Sequence, residues 1–274
     1  MRIRGIPAAV LLVASLTLTA CAEVQTGAPG AGKPGETGLV LVAESPRQWT
    51  GVAVSKGNRL FVNFPRWSDE VPVSVAEIGA DGKTVPFPDA EWNSWTEGKD
   101  AATHFVCVQS VYFDGDGFLW VLDPANPKFG GVVANGPKLV KFDIAARKPV
   151  QTIAFNERVA LPNSYLNDVR IDTKRGFAYI TDSGVGAIVV VNLKTGKSKR
   201  VLEDHFSTAS QDIRVIISGK EWLRNGVRLQ VQADGIALDP AGQKLYFKAL
   251  TGRSLYRIDT NWLRDDKLVN GTLG

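Results

Sequence analysis

A chain of 274 residues, 44% apolar and 22% charged, can bury the core of one large domain and lacks the low hydrophobicity of a disordered protein. The formal net charge is +4, of which Arg2 and Arg4 of an N-terminal signal account for half. With no block of Lys and Arg, that balance is too weak to argue for nucleic acid or for an anionic membrane surface.

The N-terminus reads as an address. Arg2 and Arg4 form a basic start, and residues 6–18 form an apolar stretch too short for a persuasive membrane span. Leu18-Thr19-Ala20-Cys21 then resembles a bacterial lipobox. Residues 1–20 are expected to be a lipoprotein signal peptide, with Cys21 lipidated. The alternative is an ordinary signal peptide with a chance cysteine. Ala22 after the cysteine resembles the outer-membrane sorting class, if the source is Gram-negative. The expected location is therefore outside the cytoplasm, periplasmic or extracellular, with membrane contact only through lipid at Cys21. Residues 21–37 are rich in Gly, Ala, Pro and Thr and read as a flexible tether. If Cys21 carries lipid, Cys107 is the one thiol left, and a disulfide framework is excluded.

From residue 38 the pattern is that of strands. Residues 38–45 (GLVLVAES) read as a first strand. A unit of strand, polar Gly turn and aromatic strand begins at Gly51 and runs to about Ile78. Residues 79–100 read as a long loop packed by Trp92 and Trp95. The unit recurs at 104–155, at 166–202 and at 234–263, with strand candidates at 213–218 and 227–231 between the last two. The clearest copy is Asp168 to Val191. There Thr173-Lys174-Arg175-Gly176 and Asp182-Ser183-Gly184 are turns, and Ala187 to Val191 is a β-branched run that disfavours helix. Repeated meanders of this size predict an all-β fold built as a β-propeller over residues 38–274.

Several motifs in order carry a family resemblance. They are Phe61-Val62-Asn63-Phe64-Pro65-Arg66-Trp67, Leu119-Trp120-Val121-Leu122-Asp123, Leu166-Asn167-Asp168 with Tyr179-Ile180-Thr181-Asp182-Ser183, Ala233-Asp234-Gly235-Ile236-Ala237-Leu238, and Leu250-Thr251-Gly252-Arg253-Ser254-Leu255-Tyr256-Arg257-Ile258. Together they resemble the major royal jelly protein / yellow family in its bacterial branch, more distantly similar to gluconolactonases and regucalcin. The resemblance implies a six-bladed propeller, of which four to five blades are expected here, with the C-terminal part incomplete.

It also implies where chemistry would sit. The related lactonases hold one divalent cation at the central channel with a Glu, two Asn and an Asp. Glu44, Asn167 and Asp234 are the comparable positions here, and Gln109 falls near the remaining Asn. Calcium is the cation that such oxygen donors suit first. Gln109, Asn167, Asp168 and Asp234 are the expected ligand-binding residues, and Asp234 the catalytic carboxylate if the protein is a lactonase. The same Asn and Asp side chains also read as turn caps. The expected function is a small-molecule-binding propeller. Insect relatives imply aromatic amines or catechol-derived ligands. The alternatives are a metal-dependent lactonase, a dopachrome-type isomerase or a non-enzymatic scaffold. The sequence leaves oligomeric state open. His104 and His205 share no zinc-ligand spacing, and no phosphate loop or nucleophile elbow is present.

Overall fold

The computed structural model describes residues 38–267. The expected signal peptide, the lipidation of Cys21 and the tether up to residue 37 lie outside the described residues, as do residues 268–274.

The chain folds as four successive antiparallel sheets, the blades of a β-propeller. The first contains β1 (Gly51–Val54), β2 (Leu60–Asn63), β3 (Val75–Ile78) and β4 (Thr84–Pro86). The second contains β5 (Ser110–Phe113), β6 (Leu119–Asp123), β7 (Lys138–Asp143) and β8 (Lys148–Ala154). The third contains β9 (Leu166–Asp172), β10 (Phe177–Asp182), β11 (Ala187–Asn192) and β12 (Ser198–Val201). Two miniature hairpins follow, β13 (Ile216–Ile217) with β14 (Lys220–Glu221), and β15 (Leu223–Arg224) with β16 (Val227–Arg228). The fourth blade has three strands, β17 (Ala233–Leu238), β18 (Lys244–Ala249) and β19 (Tyr256–Asp259), and ends in the short helix α1 (Thr260–Arg264). Among the described residues no helix is long and apolar enough to cross a membrane.

Each meander forms for local reasons. In the third blade Gly176 takes φ +71°, a left-handed conformation that a side chain would resist, and its N–H closes the turn on the carbonyl of Asp172 at 2.8 Å. The run Ala187 to Val191 is buried throughout because a blade has two covered faces. Successive side chains alternate between them. Val189 and Val191 pack with Trp120, Leu122 and Ile153 of the second blade. Ile188 and Val190 pack with Ile236, Leu245 and Phe247 of the fourth. Phe61, Phe87 and Phe142 form the matching seam between the first two blades, with edge-to-face rings 5.0 and 5.4 Å apart.

Buried charges fasten the entries to β5 and β9. At the end of β6, Asp123 accepts N–H bonds from Val106 (2.7 Å), Cys107 (2.9 Å) and Ala125 (2.9 Å) and pairs with the ammonium of Lys138 at 3.1 Å. At the end of β10, Asp182 repeats the device. It accepts from Tyr165 N (2.9 Å) and Ser164 Oγ (2.6 Å) and pairs with Arg200 at 2.8 Å. Asn63 holds the corresponding place at the end of β2, where its amide donates to Thr50 Oγ1 and to the carbonyl of Val108, both at 2.9 Å.

Three expectations are corrected. Residues 38–45 form no strand: no described strand pairs with them, and Leu39, Val40, Leu41 and Val42 are exposed. A strand needs a neighbour for its backbone groups, whatever its side-chain preference. The stretch 79–100 is less of a loop than expected, because β4 completes the first blade within it. Trp92 packs against Phe105 and Phe142 as anticipated for a loop held by its own side chains. The strand candidates between the third and fourth blades are shorter than expected and pair as the two local hairpins.

Candidate functional site

The inner strands stand side by side in the order β1, β5, β9, β17. Their ends line a cavity of about 850 Å³ bordered by Gln109, Asn167, Asp168 and Asp234. The repeat places these residues at equivalent points: Gln109 precedes β5, Asn167 is second in β9 and Asp234 second in β17. Gln109 Nε2 donates to Asn167 Oδ1 at 3.0 Å, and Asn167 Nδ2 reaches the carbonyl of Asp234 at 3.4 Å. Thr181 Oγ1 holds that same carbonyl at 2.8 Å. Asp168 accepts from Ser110 Oγ at 2.7 Å and pairs with Arg170 at 2.9 Å, whose guanidinium lies over the ring of Tyr112.

Asp234 differs from its neighbours. Among the described residues nothing donates a hydrogen bond to its carboxylate. Burial, and then the charge of Asp168, push its pKa up to about 6, against a smaller opposing pull from Lys248. It is a carboxylate on a cavity wall with acceptor capacity to spare.

One wall of the cavity is aromatic. Trp67 stacks on Phe129 with centroids 5.8 Å apart, and Phe129 on Tyr165 at 4.8 Å. Trp67 Nε1 donates to Tyr165 Oη at 2.7 Å, and Tyr165 Oη donates to Gln109 Oε1 at 2.9 Å. The amide of Gln109 is thus held at both ends. Tyr165 also touches the buried thiol of Cys107 at 3.8 Å, a thiol whose pKa burial and the charge of Asp123 raise to about 12. Arg66 turns away: it stacks over Trp95 and donates to the carbonyl of Val106 at 3.1 Å.

Sequence reading passed over Tyr165, Phe129, Trp222 and Arg224, all of which line the cavity. Tyr165 stands two residues before Asn167, at a strand entry that the repeat could have flagged. Phe129 sits in a loop inside the second blade and the other two in an insertion, and neither segment has a counterpart in the repeats.

Among the described residues, the donor set of a lactonase-type cation site is not brought together. Glu44 lies on a separate cavity of about 450 Å³ with Phe64, Pro72, Val73 and Thr84. The side-chain oxygens of Gln109 and Asn167 already accept hydrogen bonds. That leaves Asp234 and the arginine-paired Asp168 as the only carboxylates of the expected set on the channel, too few for the six or more oxygens calcium prefers. The melting temperature is therefore expected to agree within about 1 °C in calcium and in EDTA. A rise of several degrees in calcium would show that these side chains rearrange around a cation.

A model of the family described as "Major royal jelly protein" matches residues 106–272, more than half of the chain. The chain belongs to the major royal jelly protein family. Among relatives, it is 26% identical to Protein yellow of Drosophila melanogaster over 229 residues, covering 77% of this chain and 41% of that protein. The corresponding figures for Protein yellow of Drosophila subobscura are 25%, 77% and 39%. This family member thus spans about two fifths of the length of those relatives. The chain is also similar to two solved structures. The periplasmic gluconolactonase PpgL of Pseudomonas aeruginosa is 19% identical, with TM-score 0.41 over 73% of this chain and 49% of that one. Hydrazine synthase of Kuenenia stuttgartiensis is 15% identical, with TM-score 0.45 over 84% of this chain and 50% of that one.

Proposed function

We propose that this royal jelly family propeller binds a small molecule in its central channel, and that the ligand carries a cationic amine on an aromatic or similarly flat body. The observation that supports this reading is the carboxylate of Asp234. It has no hydrogen-bond donor among the described residues and faces a cavity large enough for a drug-sized ligand. An ammonium would supply the missing donor and form a charge-assisted bond. The stacked Trp67, Phe129 and Tyr165 offer the flat surface beside it. Gln109 and Asn167 lock the polar rim, so little ordering remains to be done on binding. Export and lipid attachment at Cys21 belong to the same proposal and rest on the N-terminal sequence.

Calorimetric titration with tyramine and dopamine tests it. Asp234 must be ionised to pair with the amine, so affinity is expected to rise about tenfold from pH 5 to pH 7 and to level off above. A phenol without the amine should bind weakly at both pH values. Equal binding of the phenol and the amine, or no binding of either, would overturn the reading.

A further inference from the structure

A second cavity, of about 720 Å³, opens between the stretch after β4 and the loop that joins β6 to β7, and it shares no lining residue with the channel. Chain neighbours face the two cavities in turn. Arg66 lines the second cavity and Trp67 the channel, and Lys128 lines the second cavity and Phe129 the channel. The N–H of Lys128 donates to the carbonyl of Arg66 at 2.8 Å, which ties the two segments into one partition.

Two donors on this cavity lack a partner. Trp95 is 8% exposed, yet its indole N–H has no acceptor among the described residues. Buried donors of that kind are rare, because each forfeits the hydrogen bond it made in water. Arg66 is half-buried and forms no ion pair among the described residues. Its Nε and Nη2 donate to the carbonyls of Val106 and Trp95, at 3.1 and 3.3 Å, and its Nη1 is left without an acceptor among them. Asp69 lines the same cavity but pairs with Lys128 instead, at 2.6 Å. Burial is the largest influence on Arg66 and pulls its pKa below the usual arginine value. A guanidinium drawn that far from water ordinarily has a counter-charge.

An oxyanion would satisfy both donors at once, and a guanidinium takes a carboxylate through parallel N–H bonds. The rest of the lining narrows the class. Lys99 and Lys128 do not outnumber Asp69, Glu97 and Asp100, so a phosphate dianion would meet net repulsion around one guanidinium. A single negative charge is what Arg66 can match. Trp95, Pro127, Val133 and Ala134 offer apolar surface for a carbon body. We propose that this cavity binds an organic monocarboxylate, with the carboxylate held by Arg66 and the indole N–H of Trp95. The site is separate from the channel and does not depend on which ligand the channel takes.

The test follows the indole N–H of Trp95 by nitrogen–proton NMR of the full chain. The signal is assigned in the parent protein, so the readout does not rest on the folding of a variant. Benzoate is expected to move it saturably, with a downfield proton shift as the N–H gains an acceptor. Benzyl alcohol, the same ring without the charge, should leave it in place, and inorganic phosphate should move it far less. By calorimetry, benzoate should bind about tenfold more weakly to Arg66→Lys, which keeps the charge and loses the fork, and to Trp95→Phe, which keeps a flat ring and loses the donor. Tyramine affinity should be the same in Trp95→Phe as in the parent. The proposal falls if benzoate at about 10 mM, ten times a millimolar Kd, leaves the Trp95 signal where it was. It falls if benzyl alcohol moves the signal as far as benzoate does, or if phosphate does, which would make this a site for bare oxyanions. It also falls if tyramine displaces benzoate, which would put the benzoate in the channel.

Discussion

Asp123→Ala is expected to lower the stability of the folded chain by about 4 kcal/mol, enough to bring its melting temperature down by about 10 °C. The reason is what the substitution leaves behind. The side chain of Lys138 is 1% exposed, and beyond Asp123 its ammonium has, among the described residues, the carbonyls of Ala101 and Gly136, each at 2.9 Å. Without the carboxylate it is a buried charge with no counter-charge, and three backbone N–H groups lose their acceptor together. Asp123→Asn keeps the size but not the charge, and turns an amide nitrogen toward donors, so it should cost nearly as much. The double variant Asp123→Leu with Lys138→Met removes both charges and should recover part of the loss, since a buried pair often contributes less than its removal by halves suggests. Denaturant titration of the single and double variants measures this. A single variant within about 1 kcal/mol of the parent would show that the pair is not what holds the entry to β5.

Asp234→Asn is expected to do two opposite things. It should weaken tyramine binding by about 30-fold or more, because a charge-assisted hydrogen bond in a half-buried site is lost. It should also stabilise the unliganded chain above pH 7, by about 2 kcal/mol. Burial and Asp168 raise the pKa of Asp234 to about 6, above that of the unfolded chain, so the native state holds the proton more tightly. That contribution is full below about pH 4 and is lost as pH rises through about 6, where the native state carries a poorly solvated charge. An amide never carries it. The stability gap between variant and parent should therefore close near pH 4 and open toward pH 7. A gap independent of pH would mean that Asp234 is better solvated than its position implies. Unchanged tyramine affinity would show that the amine is held elsewhere.

Much of the site was legible because a repeat carries its own geometry. Gln109, Asn167 and Asp234 stand at the same point of successive units, and any propeller turns equivalent points toward one axis. Glu44 did not follow, because it was assigned to a strand that does not form. The aromatic wall was not legible either. Trp67, Phe129 and Tyr165 are far apart in the chain and come from a strand-end turn, a loop and a strand entry. No local pattern links them.

The sequence by itself determined that the chain is all-β, where its four meanders lie and which residues turn them. Alternation, β-branched runs and glycine turns depend only on near neighbours. The tertiary structure alone decided which face of each strand meets which blade, that Gln109 and Asn167 bond each other, and that Asp234 has no donor among the described residues. It also decided that an insertion outside the repeat lines the channel mouth. Those outcomes depend on the rotation of one blade against the next, which brings together groups more than fifty residues apart and follows from the packing of whole sheets.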